Sequence, residues 1–382
     1  MDTSVNSAEN KRSPRRKKGK KGKKLLLILL SLVVLAVGGF AAAAAGLYFS
    51  GESSLKKTEA VPSFPIAEPI PGFEGAGGNA KMGLSTLAWQ DDWAAYNGEV
   101  YEYKKDCINL LFLGVDKNGK LKQETDFSNW NAGQTDAVFL VSIDPDAKRA
   151  CVIAVPRNSM VELEIYGKDG EVSATNEDAL CLQFPYAGGG PFGMEKASQR
   201  VSEIFYNIPI HGVSAISLDS IAILIDAVGG VDVVLTDDIH EIEKGHSVGE
   251  TYTLTKKNAT AYLRKRDTNI DATPTVRLTR QKEALKAIAA KLMENPTALP
   301  GLCTKVYKEI LPYMLTDITL DEAVYLAKLL SGCHLDGKDF YQLAGENVVK
   351  PNNIGVNFDA FYLNEGALKE TAIAVFYRKL SR

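Results

Sequence analysis

Two aspartates bracket a polar loop between apolar runs in this 382-residue sequence. Asp116 directly follows the run Asn109–Val115, and Asp136 directly precedes Ala137–Ile143. If the two runs are neighbouring strands, both carboxylates meet at one edge of a sheet, where oxygen donors suit magnesium. Arg264 and Arg266 stand two apart and share a face of an extended segment, with Leu263 and Lys265 on the other. Arg277 and Gln281 stand four apart, one above the other on a helix. Three guanidiniums and an amide within eighteen residues match a pyrophosphate, because guanidinium grips phosphate oxygens in a bidentate fork and cannot lose its proton. Arg157, just after the run Ala150–Val155, can supply a fourth. The competing readings are ordinary turn aspartates and a solvated arginine-bearing helix face, and spacing alone does not choose.

The elements that must position these groups are readable from pattern. Ile108–Val115 reads as a strand followed by a long polar loop. Ala137–Ile143 and Ala150–Val155 flank Asp144-Pro145-Asp146, a turn signal, and so form a hairpin. Gly193–Tyr206 has helical periodicity, Ser217–Ala227 looks helical and is stopped by Gly229-Gly230, and Val231–Leu235 is a strand. Thr275–Met293 is the clearest helix, with Leu278, Leu285, Ile288, Ala289 and Leu292 on its core face. Further helices are expected around Asp321–Leu330 and Glu365–Leu380. Alternating strands and helices predict an α/β fold with a central mixed β-sheet flanked by helices.

Charge is distributed unevenly. Residues 1–24 hold ten Lys or Arg against Asp2 and Glu9, leaving 34 basic and 45 acidic residues in the remainder. An acidic body lacks the basic stripe of a nucleic-acid-binding domain, and four histidines leave little material for a His-rich metal site. Residues 25–48 carry no charge, and roughly 20 apolar residues suffice for a transmembrane helix. The basic flank keeps the N-terminus in the cytoplasm, placing the bulk of the chain outside the cell on a single-pass anchor. A cleaved signal peptide is the rival, with Ala41–Ala45 as its cleavage region, but the apolar run exceeds a usual signal core. Residues 49–105, rich in Gly, Pro, Ser and Ala up to Ser85, read as a stalk. The expected organisation is a cytoplasmic tip (1–24), a membrane helix (25–48), the stalk, an α/β domain (106–295) and an α-rich C-terminal extension (296–382). Five cysteines leave at least one without an intramolecular partner, and a pair such as Cys303 with Cys333 rests on location alone.

The motifs INLLFLGVD (108–116), TDAVFLVSIDPDAKRACVIAVPRNSMV (135–161), LQFPYAGGG (182–190), LIDAVGGVDVVL (224–235), AYLRKR (261–266) and RLTRQKEAL (277–285) resemble the LytR-CpsA-Psr family in order and spacing. The resemblance covers about half the chain. It implies a phosphotransferase of Gram-positive cell envelopes that moves a glycan polymer from a polyprenyl pyrophosphate carrier onto peptidoglycan. It also implies magnesium on Asp116 and Asp136, and pyrophosphate contacts from Arg157, Arg264, Arg266, Arg277 and Gln281. A hydrophobic tunnel between sheet and helices would hold the prenyl chain. Asp116 and Asp136 both qualify as the base for the acceptor hydroxyl, although a metal-bound carboxylate is a poor one.

The sequence departs from the family pattern at three places. Gln134 stands where the family usually has Arg, Asn158 where it has Asp, and Thr273-Pro274-Thr275-Val276 precedes Arg277 in place of an acidic residue and glycine. These departures predict a specialised or impaired enzyme, and they keep open a non-catalytic protein that binds a polyprenyl-linked lipid or regulates envelope partners. A transcriptional attenuator with its basic tip on DNA is the third reading, disfavoured because nothing in residues 1–24 resembles a DNA-binding fold.

Overall fold

The computed structural model describes residues 44–55, 62–64, 73–74, 87–117, 119–124, 127, 131–264, 310–334, 337–351 and 357–380, with 279–280, 283–284, 287–288 and 291. Its centre is a six-stranded sheet built from β1 (Ile108–Val115), β2 (Thr135–Asp144), β3 (Arg149–Ala154), β4 (Gly212–Ser217), β5 (Met314–Thr316) and β6 (Phe340–Gln342). The spatial order is β5-β4-β1-β2-β3-β6. β4 lies parallel to β1 and β6 parallel to β3, while the other pairs are antiparallel. The expected mixed sheet and the β2–β3 hairpin are both present.

The near-continuous apolar character of these strands follows from burial on both faces. On one face Ile108, Leu110, Val141, Ile143 and Val152 pack with Ile225, Tyr262, Leu263 and Leu326, from the helices Leu218–Ala227, Ala259–Arg264 and Leu320–Ser331. On the other, Leu111, Leu113, Leu140 and Ile153 pack with Ala197, Val201 and Phe376, from the helices Gly190–Ile204 and Glu365–Phe376. Successive side chains of each strand therefore enter opposite cores of an α/β/α sandwich. The helix Leu320–Ser331 begins with a capping box, in which Glu322 Oε2 accepts from the Thr319 amide at 2.8 Å and Thr319 Oγ1 accepts from the Glu322 amide at 3.5 Å.

Several expectations change in this frame. Trp93–Tyr96 and Glu99–Tyr103, inside the stretch read as stalk, are strands, and Glu99–Tyr103 pairs with Tyr377–Lys379 near the C-terminus. The helix expected over Glu365–Leu380 ends at Phe376, where the chain turns extended so that Tyr377 packs edge-on against Tyr103, 5.6 Å between ring centroids. Among its described residues the C-terminal segment carries strands beside the helices Leu320–Ser331 and Glu365–Phe376: β5 and β6 take opposite edges of the central sheet, and Gly345–Pro351 pairs antiparallel with Asn357–Leu363. Cys107, Cys151, Cys181 and Cys333 are buried free thiols.

Of the expected membrane span, residues 25–43 lie outside the described residues. Its last residues open the helix Ala44–Leu55, which runs on into the folded part. Leu55 joins the core shared with Leu326, and a Cβ at Gly51 would meet the Asp321 carbonyl oxygen at 2.2 Å. Only glycine permits that approach. Among the described residues no helix is long and apolar enough to cross a membrane.

Candidate functional site

The β1–β2 ladder is regular until its end. Gly114 pairs with Ala137, but Val115 pairs with Thr135, so Asp136 is the extra residue of a β-bulge. A bulge breaks the alternation of side chains and re-aims the one it carries. Both aspartate amides then converge on a single acceptor: the Gln134 carbonyl receives Asp116 N at 2.8 Å and Asp136 N at 3.1 Å. Gly133 makes the turn possible, since its φ is +90° and a Cβ there would sit 2.9 Å from Lys117 Cβ. The loop between them is tied down by Lys117 with Glu124 at 3.0 Å and by Gly119 N donating to Asp219 Oδ2 at 2.6 Å.

Arg157 arrives from the turn after β3. The backbone of that turn is fixed by Ser159 Oγ donating to the Pro156 carbonyl at 2.8 Å and by Cys181 N donating to the Arg157 carbonyl at 2.9 Å. The guanidinium pairs through Nη1 with the buried carboxylate of Asp136. It also donates from Nη2 to Gln134 Oε1 at 2.8 Å and from Nε to Asn158 Oδ1 at 3.1 Å. Beneath it Cys181, its thiol pushed up in pKa by burial, approaches Gln134 Oε1 at 3.9 Å. The structure thus brings together Asp116, Asp136 and Arg157, and adds Gln134 and Asn158 as partners of the arginine.

The other sequence-predicted residues are placed less fully. Arg264 ends a helix, Ala259–Arg264, where an extended segment was expected. The reason is packing: Ala259, Tyr262 and Leu263 recur at helical spacing and are fully buried. Arg266, Arg277 and Gln281 lie outside the described residues. In the expected helix 275–293, residues 280, 284 and 288 are buried at four-residue steps, while Leu278, Leu285, Ala289 and Leu292 lie outside the described residues.

Arg280 is the residue that pattern reading passes over. Only 2% exposed, it donates from Nε to both Asp237 oxygens, at 3.1 and 3.0 Å, and from Nη1 to the Tyr262 carbonyl at 3.4 Å. It pins its own helical turn to the helix that ends at Arg264. The signal was present as an arginine in step with Ala284 and Ile288 on the core face. Tyr262 is pushed up to about 12, first by burial and then by Asp237.

Two hard carboxylates at one strand edge fit a magnesium ion, which commonly takes one or two carboxylates and fills its octahedron with phosphate oxygens and water. Among the described residues no group of three or more His, Cys, Asp or Glu gathers to hold a metal. Fold and site together define an α/β/α protein in which the ends of two central strands carry carboxylates beside a fixed guanidinium, suited to a metal-bound anion.

The chain belongs to the LytR_cpsA_psr family, whose model matches residues 84–372. It is 25% identical over 253 residues to the polyisoprenyl-teichoic acid–peptidoglycan teichoic acid transferase TagU of Bacillus cereus, covering 65% of this chain and 72% of that protein. It is 26% identical over 267 residues to the transferase TagV of Bacillus subtilis, covering 67% of this chain and 61% of that one. A crystal structure of a Streptococcus agalactiae protein shares the fold, with a TM-score of 0.52 and 21% identity over 70% of this chain and 86% of that one. The match from residue 84 includes the strands Trp93–Tyr96 and Glu99–Tyr103, which precede Asp106.

Proposed function

We propose that this protein is a membrane-anchored extracellular phosphotransferase that moves a glycan polymer from a polyprenyl pyrophosphate carrier to peptidoglycan, with magnesium. The observation that carries the reading is the bulge that hangs Asp116 and Asp136 on one carbonyl beside Arg157. The similarity to relatives named as teichoic acid transferases supports the same chemistry.

Transfer from a diphosphate asks mainly for positioning and charge neutralisation. Asp116 and Asp136 would hold the magnesium ion, which when bound neutralises phosphate charge and steadies the departing phosphate. Arg157, with Arg264, Arg266, Arg277 and Gln281, would orient the diphosphate oxygens and stabilise charge as it develops. The acceptor hydroxyl oxygen attacks the glycan-bearing phosphorus as the bond to the bridging oxygen breaks. Its electron pair leaves with the polyprenyl phosphate, and the hydroxyl proton passes to a carboxylate or to water. The prenyl chain would lie between sheet and helices.

The test is release of phosphate-containing product from a short prenyl pyrophosphate by the full chain in detergent, with and without magnesium, beside Asp136→Ala. The full chain is needed because a start at residue 52 would cut the helix Ala44–Leu55, which packs on the domain. Magnesium-dependent turnover lost in the variant is the expected result. Binding without turnover would favour a carrier-binding protein instead.

A further inference from the structure

Among the described residues, Arg157 pairs with one carboxylate and donates to two uncharged side-chain oxygens. Asp136 takes Nη1, while Gln134 Oε1 takes Nη2 and Asn158 Oδ1 takes Nε. Three contacts on different nitrogens of a planar group fix both its position and its plane, and a fork presented in a fixed plane loses little freedom when it meets a phosphate. The guanidinium side chain is 31% exposed, so it remains reachable from solvent. Had either uncharged partner been a carboxylate, it would hold the arginine more strongly. It would also place a second negative charge against an incoming diphosphate, at separations where charges couple strongly.

We infer that Gln134 and Asn158 are positioning residues for the proposed reaction, uncharged acceptors that set the plane of the Arg157 guanidinium without cancelling its charge. The inference rests on the diphosphate reading above. Gln134 acts in two ways: its carbonyl organises Asp116 and Asp136, and its side chain orients Arg157. Only the second depends on residue type, so substitution isolates it. Buried Cys181 adds a weak contact to the same Gln134 Oε1, at 3.9 Å.

The experiment uses the full chain in detergent, with farnesyl pyrophosphate as probe. Its affinity is measured by calorimetry in magnesium, and KM and kcat are measured by product release. Gln134→Glu and Asn158→Asp keep the acceptor oxygen and add a charge. Each is expected to weaken binding and raise KM about tenfold with the melting temperature unchanged or higher. Gln134→Ala and Asn158→Ala leave the charge alone and free the guanidinium, so each is expected to lower kcat about tenfold with a smaller change in KM. A merely structural role predicts that the acidic variants behave as the wild type, and that result overturns the inference. Wild-type kcat in both alanine variants overturns it as well. Should an alanine variant fail to fold, the acidic variants decide alone. A wild type that does not bind the probe would instead overturn the diphosphate reading itself.

Discussion

Asp116 and Asp136 hang from one carbonyl: the amides of both donate to Gln134 O, at 2.8 and 3.1 Å. Their Cα positions are thereby set by backbone hydrogen bonds at the mouth of a bulge, not by the preferences of either side chain. A carboxylate pair built this way survives isosteric change in geometry while losing its charge. Asp116→Asn and Asp136→Asn are each expected to keep the melting temperature within a few degrees and to lower magnesium-dependent turnover on the order of 100-fold. Thermal melts beside product-release assays check both halves.

The same arrangement depends on Gly133. An alanine there must adopt φ near +90° and bring its Cβ to 2.9 Å from Lys117 Cβ. Gly133→Ala is expected to destabilise the protein by about 1–3 kcal/mol and to lower turnover through displacement of Asp116. Denaturant unfolding gives the first number. A variant as stable and active as the wild type would show that the loop does not hold Asp116.

Arg280 and Asp237 form a nearly dry ion pair, with side chains 2% and 12% exposed. Removing either partner strands the other, so Arg280→Ala and Asp237→Ala should each cost about 3–5 kcal/mol. The double variant should cost much less than the sum, as a double-mutant cycle by denaturant unfolding would reveal.

His211 supplies a pH dependence. Its Nδ1 accepts from the Asn109 amide at 3.0 Å, and burial lowers its pKa below the ordinary 6.5. The unfolded chain therefore binds the proton more readily than the folded one. The stabilisation is fully present above 6.5 and is lost as the pH falls below that value towards the folded pKa. Melting temperatures between neutral and mildly acid pH should fall more steeply for the wild type than for His211→Gln.

Gly51 controls how the segment leaving the expected membrane span meets the domain. Because a Cβ there would strike the Asp321 backbone, Gly51→Val should separate the helix Ala44–Leu55 from Leu320–Ser331. Faster amide hydrogen exchange in both helices, with unchanged exchange in β1 and β2, is the expected result. Unchanged exchange in both helices would count against the packing.

The sequence alone determined the elements whose patterns are local. The run Ile108–Val115, the Asp-Pro-Asp hairpin and the helices near Gly193 and Ser217 each carry their own periodicity or turn chemistry, and each is present. It also placed Asp116 and Asp136 at the ends of two strands, because strand ends are legible from the change in polarity, while the pairing of those strands was decided by the sheet. Tertiary structure alone decided what depends on partners distant in the chain. Glu99–Tyr103, already paired with its neighbour Trp93–Tyr96, gained Tyr377–Lys379 on its other side, and Ala259–Arg264 became helical because Tyr262 and Leu263 found a core. Arg280 could not be read as buried without Asp237, forty-three positions away. Likewise Gln134 and Asn158 read in sequence as two separate departures from a family pattern. Space joins them on one guanidinium, because hydrogen bonds between side chains are formed across the fold and leave no periodic trace along the chain.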